Sequence, residues 1–170
     1  MKRKKKYALE SQAPVQHPGG ISQLIRREIQ GPIAACLIRE FAGVLGLHRA
    51  LEVATAAIQA NATLAGRAMA QRYGGYSLRD LARVVKEVWT EDDAVTLQIL
   101  KETESRLDFN VTRCRYVELY ERLGMKELGL SLVCSQDEAF TLGFNPRIKL
   151  VRIQTIMGGA PFCDFRFTLI

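Results

Sequence analysis

The feature that most constrains this chain is a change of period at Asp92-Asp93. Before it, apolar residues recur every three or four positions; after it, Val95, Leu97 and Ile99 alternate with other residues, as do Leu107, Phe109 and Val111. The first spacing lines one face of a helix and the second one face of a strand. Helices first, then strands with further helical stretches between them, predict an α+β fold. N-terminal helices pack on a small, mainly antiparallel sheet that ends in a C-terminal β-hairpin.

Individual elements follow from the same patterns. Leu24, Ile25, Ile29, Ile33, Leu37, Phe41, Val44 and Leu45 form one helix face, and Gly31-Pro32 is expected to kink or split that helix. An Ala-rich helix over about Leu47 to Arg72 offers small side chains against which another helix or a sheet can come close, and Tyr73-Gly74-Gly75 ends it. Ser77, with Asp80 three residues on, reads as the capped start of a shorter helix through Trp89. A helix over Tyr116–Leu123 stops at Gly124, and another over Leu128–Leu142 is closed by Asn145-Pro146. In the terminal hairpin, IKLVRIQTIM and FCDFRFTLI flank the turn GGAP. A four-residue connection there sets Thr155 opposite Asp164 and Ile153 opposite Arg166, with Arg152 on the other face.

A length of 170 residues suits one domain with a substantial core. The net charge of +6 is concentrated in Lys2, Arg3, Lys4, Lys5 and Lys6. Residues 1–20 therefore read as a flexible basic arm and residues 21–170 as a single α+β domain close to neutral. No Lys/Arg stripe interleaved with aromatics follows, so nucleic acid is not an expected partner. No apolar h-region follows the basic run and no stretch reaches membrane-spanning length, so no membrane partner is expected and the cytoplasm is the default compartment. Four scattered cysteines read as free thiols. They form no CxxC pair, and His17 and His48 are poorly placed, so a metal site would need long-range convergence and none is expected.

Three short blocks carry candidate chemistry. In FCDFRF, Cys163, Phe165 and Phe167 share the core face of a strand, while Asp164 and Arg166 share the other. With Thr155 these two form a polar cluster suited to a carboxylate, or else a salt-bridged solvent face, which the pattern alone favours. Cys114 ends a strand where a helix begins, between Arg113 and Arg115, a setting that lowers a thiol pKa. The alternative is a small buried hydrophobe. Cys134 and Asp137 lie three apart on a helix and so on one face.

Taken in order, NVTRCRYVELYERLGMKELG, LVCSQDEAFTLGFNPRIKLVRIQT and GGAPFCDFRF resemble the signature of the L-2-amino-thiazoline-4-carboxylic acid hydrolase family. The resemblance implies a hydrolase-like domain that opens a small carboxylated sulfur and nitrogen heterocycle at a C–S or C–N bond, toward N-carbamoyl-cysteine. No cofactor is expected. Its blocks fall on Arg113, Cys114, Cys134, Asp137, Arg152, Thr155, Cys163, Asp164 and Arg166. Chemistry then assigns Cys114, Asp137, Cys163 and Asp164 to catalysis, as nucleophile, acid or base. Arg113, Cys134, Arg152, Thr155 and Arg166 are left to bind a small-molecule substrate through its carboxylate. Because Cys163 and Asp164 point opposite ways on a regular strand, both reach one pocket only through a bulge after GGAP. The layout is also similar to four-vinyl-reductase-like ligand-binding domains and to small adaptor subunits of vesicle-tethering complexes. That second likeness implies a sensor or adaptor rather than an enzyme, commonly as a homodimer.

Overall fold

The computed structural model describes residues 20–170, and the basic arm expected over residues 1–20 falls, up to residue 19, outside them. Ser22 accepts a hydrogen bond from the Ile25 amide and starts α1, Gln23–Leu45. The break expected at Gly31-Pro32 does not occur. Pro32 sits inside a continuous helix, on its solvent side, where water can satisfy the carbonyl that loses its partner. The face turned inward is Leu24, Gly31, Ala35 and Ile38, so most of the large apolar positions that marked the helix point away from the body.

Helix α2, Leu47–Tyr73, ends as expected on Gly74, at a left-handed φ of 69° that only glycine adopts without strain. Its small residues meet α5, Gln136–Phe144, at backbone contact. A Cβ on Gly66 would stand 2.1 Å from the Phe140 carbonyl oxygen, and one on Gly143 would stand 2.0 Å from that of Thr63. Helix α3, Leu78–Val84, opens on the full Ser77/Asp80 capping box and runs on through a π-helical turn, Val85–Trp89. Helix α4, Arg115–Arg122, follows the second strand directly.

The sheet is antiparallel throughout, in the order β1-β2-β4-β3, from β1 Val95–Glu102, β2 Arg106–Cys114, β3 Ile148–Val151 and β4 Cys163–Leu169. Pairs Leu107/Phe167, Phe109/Phe165 and Val111/Cys163 set one face of β2 and β4 against the helices. Phe109 and Phe165 stack at 4.9 Å, and Trp89 meets both edge-on. A second apolar cluster joins α1 and α4 to Leu128, Leu132 and Met157, and Cys114 and Ile156 touch both clusters.

Two expected elements differ. The helix over 128–142 is divided into a 3-10 turn, Lys126–Leu128, a π-helical turn, Leu130–Cys134, and α5. The terminal hairpin has a shorter first strand, with Val151 rather than Ile153 opposite Arg166. The Asp164 carboxylate takes the Ile153 and Gln154 amides out of the ladder, and Thr155 starts a 3-10 turn at Ile156–Gly158.

The α2/α5 contact makes a direct prediction. Gly143→Ala gains about 1 kcal/mol of helix propensity but forces two backbones apart, at about 2–3 kcal/mol. Its urea midpoint falls by an amount worth about 1–2 kcal/mol with the m-value unchanged. Gly43→Ala, whose Cβ meets nothing within 4 Å, is neutral or stabilising in the same assay.

Candidate functional site

Asp164, buried on the outer face of β4, positions the segment that leaves β3. Its Oδ1 accepts from Ile153 N at 3.1 Å and Gln154 N at 2.8 Å, and Gln154 Nε2 donates to the Phe162 carbonyl at 3.1 Å. This turn sends Arg152 to the core side. There Nη1 donates to the Asp137 carboxylate and Nη2 to the Cys134 carbonyl at 2.9 Å, while Cζ lies 5.2 Å from the Phe165 ring centroid. Cys134 and Asp137 flank the junction where the π-helical turn passes into α5, so the break in the expected helix is what presents that carbonyl to Arg152.

Three thiols surround this pair. Cys163 is buried and its Sγ accepts from Ile156 N at 3.2 Å, Cys114 ends β2, and Cys134 precedes Asp137. All three lie within electrostatic reach of Asp137. Burial pushes the Cys114 thiol up to about 11 and the Cys134 thiol up to about 12, and raises that of Cys163. The lowered Cys114 pKa expected from its helix N-terminus is therefore reversed. The Tyr116 and Val117 amides do favour the thiolate, but desolvation outweighs them. The flanking arginines are also turned away: Arg113 pairs with Glu118 at 2.8 and 3.1 Å, and Arg115 donates to the Asp92 carbonyl. Burial raises the Asp137 carboxyl to about 6, against the opposing pull of Arg152.

Beside the cluster opens a depression of about 370 Å³, lined by Arg152, Thr155, Gln154, Leu130, Gly158 and Ala160 among others. Thus Cys114, Cys134, Asp137, Arg152 and Cys163 come together, with Thr155 at the rim. Asp164 acts from behind the segment. Arg166 is on the opposite face of the sheet, donating to the Phe109 and Phe165 carbonyls at 2.8 Å and to Asn110 Oδ1 at 2.9 Å. Strand β4 carries no bulge at Cys163 and Asp164, so the two point apart. A larger open groove, about 750 Å³ along α2 between His48 and Gln59, lacks these groups. Among the described residues no group of three His, Cys, Asp or Glu side chains is arranged to hold a metal ion.

The pattern-based reading omits three neighbours. Arg27 of α1 lies within electrostatic reach of Asp137 and donates to Gln136 Oε1. Tyr116, its hydroxyl pushed up to about 12 by burial, adjoins Cys114 and Asp137. Gln136 has a visible signal, its place beside Asp137. Arg27 lies in an ordinary run of charges, Arg26-Arg27-Glu28, and carries no signal at all.

Comparison with known proteins bears on both fold and lineage. One similar solved structure is trafficking protein particle complex subunit 3 from Naegleria fowleri, covalently bound to palmitic acid. It matches with a TM-score of 0.52 over 86% of this chain and 96% of that one, at 10% sequence identity, a likeness of fold alone. No curated protein matches the sequence. The family model described as L-2-amino-thiazoline-4-carboxylic acid hydrolase matches residues 24–167. That span takes in every element from α1 to β4 and all the residues gathered at Arg152, and the chain belongs to the L-2-amino-thiazoline-4-carboxylic acid hydrolase family.

Proposed function

We propose that the protein hydrolyses a small carboxylated heterocycle of the 2-aminothiazoline-4-carboxylate type, with Asp137 as general base and Arg152 as the carboxylate-binding group. The observation that carries the reading is the Asp137–Arg152 pair beside the depression that Arg152 lines. Arg152 is the one arginine of the three candidates both paired to a site acid and facing that space, since Arg166 and Arg113 are engaged elsewhere. A substrate carboxylate entering the depression competes with Asp137 for the guanidinium fork. As Arg152 turns to the substrate, the Asp137 carboxylate is released from its cation and becomes a stronger base.

Water then loses a proton to Asp137 and adds to the amidine carbon bonded to sulfur and two nitrogens. The tetrahedral intermediate collapses with cleavage of the C–S bond as its hydroxyl proton passes to the ring nitrogen and the carbonyl forms, and the departing sulfur takes the other proton back from Asp137. The product is the N-carbamoyl-cysteine skeleton, one water heavier than the substrate. Raised thiol pKa values favour water over a cysteine as the nucleophile, because the thiolate is the reactive form and burial disfavours it here. Asp164 serves as a positioning residue that aims Arg152. Thr155, Cys134 and Cys163 line or underlie the pocket.

Three outcomes are expected. With 2-aminothiazoline-4-carboxylate as substrate and free-thiol release as readout, Asp137→Asn lowers kcat about 10²–10⁴-fold, whereas Cys114→Ser and Cys163→Ser stay within about tenfold. Loss of turnover in a cysteine variant, with Asp137→Asn active, would reverse the assignment. Because Asp137 must be ionised to accept a proton and its pKa is raised to about 6, kcat/KM climbs as pH rises through about 6 and then levels. An unchanged rate down to the pH range of an ordinary carboxylate would remove Asp137 as the base. Before denaturation a thiol reagent labels the exposed Cys36 rapidly and Cys114, Cys134 and Cys163 slowly, as read by mass spectrometry. A sensor or adaptor of the same fold would bind the heterocycle and release no thiol.

A further inference from the structure

The outward face of α1 is a large apolar surface with no cover among the described residues. Ile25, Ile29, Ile33, Leu37, Phe41 and Val44 are between 44% and 84% exposed. At about 100 Å² each they leave about 600 Å² of apolar surface in water, the upper limit for the largest patch on a typical monomer and close to the ~800 Å² that one partner contributes to a standard interface. Two charged residues stand in the middle of this face. Arg26, Ile33 and Glu40 recur every seven positions and so lie within about 40° of one another around the helix, Arg26 and Glu40 about 20° to either side of Ile33. Arg26 has a buried Nε with no hydrogen-bond partner. Among the described residues, neither Arg26 nor Glu40 forms an ion pair.

We propose that this face is a homodimer interface in which α1 pairs antiparallel with α1 of a second copy, about a two-fold axis at Ile33. Such an axis brings residue 33+n of one chain to residue 33−n of the other. Ile33 meets Ile33 and Ile29 meets Leu37, apolar against apolar, while Ile25 and Phe41, about 80° to either side of Ile33, flank the contact. Arg26 meets Glu40, and symmetry makes that pair twice. A helix whose outward face were adapted to a different protein has no reason to be complementary to its own reverse. The self-match in both size and charge therefore selects a second copy of this chain over other occupants. The inference is independent of the hydrolase reading, although it would brace the helix whose inward side supplies Arg27 to the site.

Sedimentation of the full-length chain at roughly 1–100 µM, the range in which weaker interfaces of this area dissociate, tests it. The wild-type protein is expected at twice the 19.1 kDa chain mass. Ile33→Glu places two like charges on the axis and converts the dimer to monomer. Arg26→Glu and Glu40→Arg each create two like-charge pairs and raise the dissociation constant about 10–100-fold, and the double swap recovers it to within about threefold. Ile33 and Glu40 are exposed in the single chain and Arg26 is half-buried at the surface, so helicity by circular dichroism is unchanged. A wild-type monomer throughout the range overturns the proposal, as does a dimer insensitive to Ile33→Glu. So does a double swap no better than the single ones, which would leave the face to the N-terminal segment or to another partner.

Discussion

Arg152 leaves the end of β3 where the ladder gives out and reaches the first turn of α5, meeting Asp137 and the Cys134 carbonyl over the ring of Phe165. It is a largely buried polar tie between the sheet and the helical layer. Both partners are largely removed from water, which is costly for each ion alone, and deleting either one would strand the other at about 3–5 kcal/mol. The pair is therefore less a source of stability than a constraint that neighbouring structure must satisfy. Asp164 turns the backbone so that Arg152 faces inward, and the π-helical turn ends where Cys134 can accept. Phe165 supplies a π face to a cation whose remaining surroundings are apolar.

This dependence explains which parts of the structure are legible in the sequence. Local signals are reliable: the Ser77/Asp80 box, the Gly74 stop, the strands through Val95–Ile99 and Leu107–Val111 and the alternation of FCDFRF all appear where spacing puts them. The differences arise where a distant group competes with the local pattern. IKLVRIQTIM has the composition of one long strand, yet the Asp164 side chain takes two of its amides, and pattern along a single strand does not show that competition. The helix expected over 128–142 is interrupted at Ser135, and its first turn is drawn in at Gly129, where an added Cβ would lie 2.3 Å from the Met157 sulfur. Close approach of the turn at Ile156–Gly158, made by residues some thirty positions later, sets that geometry.

Helix α1 shows a different limit. Periodicity identified the helix but not its inward side, because both sides are apolar. Its inner face combines Leu24 and Ile38 with Gly31 and Ala35, and the two small residues let Met125 and Tyr120 come close to the helix backbone. Its outer face holds most of the bulky residues. Size, rather than hydrophobicity, separates the faces: the small residues mark the close intramolecular contact, and the large ones remain as surplus.

The candidate site was legible as residue types and not as chemical states. Blocks around Cys114, Cys134, Asp137, Arg152 and Cys163 converge, but their protonation depends on depth. A thiol at a helix N-terminus is activated when the amide dipoles act on an otherwise solvated sulfur; at Cys114 the same dipoles act, and burial exceeds them. The burial that disarms the thiols has the opposite consequence for Asp137. It lifts a carboxylate to about 6, still mainly ionised at neutral pH and a better proton acceptor than an exposed aspartate. One desolvated environment thus holds the thiols protonated and makes the aspartate more basic, which is why the proposed mechanism rests on the carboxylate rather than on a cysteine.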